Sequence, residues 1–196
     1  MKVQLEKTFA MPASADTAWA LLQNIEGVAN CMPGARITER IDAQHYKGTV
    51  AIKFGPASMS FRGEVEVLAL EPASKTLRLV GKGTDTTGGS GASMDLTARV
   101  EAVDAASCNL VGTSEVSMSG KAAAFGGRMM SSVADQVLGQ FAANFATQVQ
   151  ALQAQTPSSP APRAAAPPET TQLNGLALAW AVFKDWLRSL FAAKRA

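Results

Sequence analysis

The sequence predicts an α+β fold in which a curved antiparallel sheet of about seven strands closes around one long C-terminal helix. Three observations carry this. Successive short runs between residues 46 and 118 alternate apolar with polar side chains. From about 126 to 152 the apolar spacing changes to a helical period. A Pro/Ala/Ser tract over 155–172 then interrupts globular patterning and separates a short basic, aromatic tail.

The elements follow in order. Residues 2–9 alternate as a strand, and Ser14 is placed to cap a short helix through Trp19, Leu21 and Leu22. Met32-Pro33-Gly34 reads as a turn. Tyr46, Val50, Ile52 and Phe54 share one strand face, and Lys47, Thr49 and Lys53 share the other. Met59, Phe61, Val65 and Val67 oppose Ser60, Arg62, Glu64 and Glu66. Leu77 and Leu79 flank Arg78; Met94, Leu96, Ala98 and Val100 oppose Asp95, Thr97, Arg99 and Glu101. Leu110, Val116 and Met118 alternate with Thr113, Glu115 and Ser117. Such alternation means antiparallel strands covered on one face and wet on the other. The glycine-rich stretch from Gly81 to Gly91 reads as a mobile hairpin loop at a cavity mouth. It lacks the GxxxxGK[ST] order of a phosphate loop. In the last segment Met129, Met130, Val133, Val137, Phe141, Phe145 and Leu152 fall in one arc of a helix about 40 Å long. Gly126-Gly127 before it reads as a flexible entrance and first of all as a simple helix start; an anionic headgroup at the helix N-terminus, with Arg128 nearby, is the lesser reading.

Composition bounds the chemistry. The chain has 196 residues, 47% of them apolar, with 18 Lys+Arg against 16 Asp+Glu. Residues 1–154 hold 13 basic and 14 acidic residues, whereas 155–196 hold 5 and 2. No concentrated basic face exists for nucleic acid. One His and two Cys, without CxxC spacing, argue against a zinc site or a disulfide framework. His45 lies on the water-facing side of its strand, and Cys31 in Cys-Met-Pro-Gly looks structural. No constellation of nucleophile, acid and base emerges, so no catalytic residue is assigned. The first residues contain no apolar signal core, so the product is expected to stay in the cytoplasm.

The residues also resemble a known family. Cys31-Met32-Pro33-Gly34, Phe54-Gly55-Pro56 with Phe61-Arg62-Gly63, and Gly120-Lys121-Ala122-Ala123-Ala124-Phe125-Gly126 with Arg128 are similar to the carbon monoxide dehydrogenase G-subunit (CoxG-like) family. Gln140-Phe141-Ala142-Ala143-Asn144-Phe145 continues the likeness, which covers residues 1–150. Phe125 departs from the leucine common there. The resemblance implies the Bet v 1-like, START-like helix-grip fold of the SRPBCC superfamily, which holds hydrophobic ligands between sheet and helix. It implies a non-catalytic partner of a molybdenum hydroxylase of the carbon monoxide dehydrogenase type, attached to the inner face of the cytoplasmic membrane. The implied ligand is a non-covalently held respiratory quinone, menaquinone or ubiquinone, because the partner enzyme must pass electrons to the membrane pool.

The cavity wall expected from these readings is Phe54, Met59, Phe61, Val65, Leu79, Met94 and Leu96 from strands, with Phe125, Met129, Val133, Val137 and Phe141 toward the helix. Patterning alone leaves open a solidly filled core, and with it a pure protein-interaction module. A cyclase- or hydrolase-like enzyme on a hydrophobic substrate also stays open, although the inward positions are nearly all apolar.

Residues 173–196 are expected to form an amphipathic helix. Leu176, Ala179, Trp180, Phe183, Trp186, Leu187, Leu190 and Phe191 span an arc of about 140°, with Lys184, Asp185, Arg188 and Arg195 opposite. Charges from Lys184 onward interrupt the apolar run, so it does not span a bilayer. Two of the three Trp lie here, and Lys184, Arg188, Lys194 and Arg195 suit anionic headgroups. The domain expectation is a ligand-binding domain over 1–154, a flexible linker over 155–172 and a membrane-binding helix over 173–196.

Overall fold

The computed structural model describes residues 1–54 and 57–155, apart from the side chains of Phe54, Ala57 and Phe125. The expected linker and amphipathic tail therefore lie outside the described residues.

Ten residues of strict alternation make β1 (Lys2–Met11). Ser14 then stops the strand and caps α1 (Ala15–Leu22), its hydroxyl accepting from the Thr17 amide at 3.2 Å. A second short helix, α2 (Ile25–Cys31), follows at once, capped by Asn24, whose side chain accepts from the Gly27 amide at 3.0 Å. Sequence periodicity missed α2 because seven residues make only two turns, too few to display a period. The chain leaves it through Gly34 at φ +77, where a Cβ would lie 2.2 Å from the Ala51 carbonyl oxygen. Only glycine fits that approach, which explains the Met-Pro-Gly turn.

Six more strands complete the sheet: β2 (Ala35–Arg40), β3 (His45–Phe54), β4 (Ala57–Glu71), β5 (Thr76–Asp85), β6 (Ser90–Ala102) and β7 (Cys108–Gly120). Their order is β1-β7-β6-β5-β4-β3-β2, antiparallel throughout. The glycine-rich stretch differs from expectation. Gly81 and Gly83 are strand residues of β5 and Gly91 belongs to β6, so only the few residues between Asp85 and Ser90 form the turn. Propensity disfavours glycine in strands, but cross-strand pairing on both sides of β5 overrides it here.

A 3₁₀ turn (Lys121–Phe125) joins β7 to α3 (Gly127–Gln155), a 29-residue helix about 43 Å long. Gly120, at φ +67, makes the exit from the sheet, and the Ser90 hydroxyl accepts from the Ala122 amide at 3.0 Å. The C-terminal half of α3 packs on a dense core in which Phe145 and Val149 are fully buried beside Trp19, Leu22, Leu77 and Leu110. Two side-chain bonds tie the short helices to it. The Asn144 amide nitrogen donates to the Cys31 carbonyl at 2.9 Å, and the Ser14 amide donates to Gln153 Oε1 at 3.0 Å. A smaller cluster of Phe61, Met118, Ala122 and Met130 gathers near the start of α3.

Candidate functional site: an apolar cavity under the long helix

Between these clusters the interior is not filled. A cavity of about 410 Å³ opens beneath the N-terminal half of α3, and residues of both clusters line it. Its size falls within the range of small-molecule sites.

The register of the sheet explains the hollow. One row of directly paired residues runs Ile37–Gly48–Gly63–Gly83–Ala92–Met118, and every member lines the cavity. The next row on the same face runs Val65–Gly81–Met94–Val116–Val3. Four glycines and an alanine thus stand where core strands would place branched side chains. Helix α3 supplies Met130, Val133, Ala134, Val137 and Leu138 as the roof, and α2 closes one side with Ile25, Val28 and Ala29.

Of the twelve expected wall residues, Phe61, Val65, Leu79, Met94, Leu96, Val133 and Val137 line the cavity. Three do not. Met59 and Met129 pack, half-buried, against the cluster around Phe61 and Met130. Phe141 packs against the dense core, its ring 5.7 Å from that of Phe145, because the cavity ends one turn earlier at Leu138. The side chains of Phe54 and Phe125 are outside the description. Sequence reasoning missed the contribution of α2, whose wall residues belong to an element too short to show a pattern. It also read past the strand glycines, whose role is to be absent from the wall.

Charge stays off the wall. Arg36, Glu64 and Lys82 border the cavity but occupy outward strand positions and are exposed. Among the described residues Asp85 and Ser90 are the buried polar ones, and each serves a turn. The Asp85 carboxylate accepts from the Thr87 hydroxyl, and Ser90 holds the 3₁₀ turn. Every buried side-chain nitrogen or oxygen among the described residues has a hydrogen-bond partner. Cys31 is fully buried, its thiol donating to the Gly27 carbonyl at 3.4 Å, and burial pushes its pKa up, away from the reactive thiolate. His45, the first residue of β3, sits half-exposed with Nδ1 2.9 Å from Asp42 Oδ2 and is not among the residues that line the cavity. That carboxylate raises the His45 pKa.

No helix among the described residues is long and apolar enough to cross a membrane. No curated protein matches the chain in sequence. Solved structures do match in fold. A conserved protein from Geobacillus kaustophilus aligns with TM-score 0.69 at 18% identity, covering 76% of this chain and 96% of its own. A START superfamily protein from Mycobacterium smegmatis aligns with TM-score 0.55 at 18% identity, covering 76% and 98%. The Zhui aromatase/cyclase of a Streptomyces species aligns with TM-score 0.56 at 17% identity, covering 76% and 94%. These likenesses establish the START-like, helix-grip fold. Residues 8–150 match the family described as the carbon monoxide dehydrogenase G-subunit (CoxG), so the chain, with its grip of sheet on helix around an apolar hollow, belongs to that family.

Proposed function

We propose that this protein is a non-catalytic membrane adaptor. It recruits a molybdenum hydroxylase of the carbon monoxide dehydrogenase type to the inner face of the cytoplasmic membrane. In its cavity it binds a respiratory quinone, menaquinone or ubiquinone, or a similar lipid, and so aids electron transfer to the respiratory chain. The observation that carries this reading is the cavity of about 410 Å³ with a nearly all-carbon wall, found in a chain of the CoxG family. Burying a hydrocarbon guest in such a wall gains roughly 25 cal/mol for each Å² removed from water, while among the described residues the inward strand positions carry no acid or base. The likeness to the aromatase/cyclase is one of fold, and among the described residues the polar side chains that border the cavity, Arg36, Thr49, Glu64, Lys82 and Ser93, stand at outward strand positions rather than converging in it.

The aromatic, basic stretch over 173–196 supports the anchoring half of the proposal. Two measurements test the reading. Native mass spectrometry of protein purified with lipid is expected to show a copurified isoprenoid quinone; protein that emerges empty and takes up neither quinone from vesicles overturns the carrier role. Liposome flotation is expected to fail once residues 173–196 are deleted, and equal flotation of both forms defeats the anchor.

A further inference from the structure

The proposed guest has two unlike ends, and the cavity treats them differently. Its wall is carbon almost throughout. The backbone of its floor is spent in the strand ladders, through pairs such as Gly63 with Gly83 and Gly81 with Met94. The buried polar side chains are engaged already, Asp85 by Thr87 in the β5–β6 turn and Ser90 by the Ala122 amide of the 3₁₀ turn. A hydroxyl or carbonyl carried into this interior leaves its water for a wall whose uncharged polar side chains, Thr49 and Ser93 among the described lining residues, stand at outward strand positions. A hydrocarbon chain suffers no such loss.

One floor position governs how much chain fits. At Gly63 a Cβ would lie 2.0 Å from the Lys82 carbonyl oxygen, so backbone crowding alone demands glycine there. Gly81 is different. A Cβ there would meet the Val65 and Met94 side chains at 3.9 Å and the Glu64 carbonyl oxygen at 3.8 Å, which is ordinary contact. A longer side chain at 81 would extend between Val65 and Met94, both of which line the cavity. The backbone tolerates a side chain at this position, and glycine keeps the space open.

We infer that the cavity admits an amphiphile chain first, holding its hydrocarbon part and leaving its polar end at the opening in water, and that Gly81 sets the length of chain admitted. This rests on the lipid-binding reading above and goes beyond it by fixing which end enters and which residue measures it. The expected ligand class is a single-headed amphiphile with a long unbranched or isoprenoid chain. A molecule with polar groups at both ends is disfavoured.

The test uses the full chain and n-alkan-1-ols of increasing length, each below its solubility limit, displacing the fluorescent probe N-phenyl-1-naphthylamine. Affinity is expected to rise about fourfold for each added methylene until the chain fills the cavity, and then to level off. At lengths below that plateau, α,ω-diols are expected to bind about 10- to 100-fold more weakly than the matching alcohols, because the second hydroxyl is buried without a partner. Gly81→Leu is expected to bring the plateau forward by about four carbons, the size of the added side chain, with short alcohols unaffected. Gly81→Ala gives the same comparison with a smaller step if circular dichroism shows that the leucine variant does not fold. Diols binding as tightly as alcohols, or a plateau unmoved in a folded Gly81 variant, overturn this inference and leave the cavity a lipid site. Failure of the probe and of every alcohol to bind overturns the lipid-binding reading itself.

Discussion

The two halves of α3 lie over the same sheet and meet opposite fates. Under the C-terminal half, Phe145 and Val149 are fully buried against α1 and the large side chains Leu77 and Leu110. Under the N-terminal half, Val133 and Val137 stay partly exposed above glycines. Strand β5 contains the change within a few residues: its inward face reads Leu77, Leu79, Gly81, Gly83. The helix is amphipathic along both halves, so the difference comes from the sheet. A packed core gives way to a cavity where the floor lacks side chains, and the dense half supplies the stability that keeps the hollow half open.

Substitutions on the two sides should separate sharply. Phe145→Ala is expected to cost about 3–5 kcal/mol in chemical denaturation, because close packing around the ring leaves its cavity unable to collapse. A loss below about 1 kcal/mol would mean that the dense half is looser than its burial indicates. Asn144→Ala strikes the tie between α3 and α2, leaving the Cys31 carbonyl without its partner. It is expected to cost about 1–3 kcal/mol and to loosen the α2 side of the cavity, seen as faster amide exchange over residues 25–31. Val137→Ala lines the hollow and removes few packed neighbours. It is expected to cost under about 1 kcal/mol while enlarging the site, so that apolar probe binding shifts more than the melting temperature.

The smallest effect belongs to the surface pair at the packed end. His45 titrates above its ordinary value beside Asp42, so the pair stabilises the fold below about pH 6.5 and that contribution fades as pH rises through the folded pKa. Asp42 is held below the usual carboxylate range, first by the Gln44 amide and then by His45, so its share is present above about pH 4 and fades on further acidification. Melting curves of His45→Asn are therefore expected to fall slightly below those of the parent near pH 5.5 and to coincide with them above pH 8. Probe binding is expected to be unchanged at both values. A pH-dependent change in probe uptake would connect this turn to the cavity.

Much of this architecture was readable from the chain alone. Alternation in β3 to β7 has a period of two that no helix reproduces, and the long apolar arc of α3 has a period that no strand reproduces. The Ser14 cap, the Met-Pro-Gly turn and the apolar inner face were legible for the same reason: each is a local chemical preference. The cavity was legible only as a possibility. Phe141 and Val137 occupy one arc of the same helix, yet one fills a core and the other borders open space. Met59 and Met129 look inward by pattern and pack against the cluster around Phe61 and Met130 without reaching the cavity.

Local chemistry thus determined the elements, their order and which face of each is apolar, because backbone sterics and solvent preference act on near neighbours in the chain. The lateral pairing of strands was decided only by the tertiary structure. It set Gly48, Gly63, Gly83 and Ala92 side by side from four different strands, and so converted separate small residues into one hollow. Volume is a property of what stands opposite what, and residues distant in sequence become opposite only when the sheet has formed.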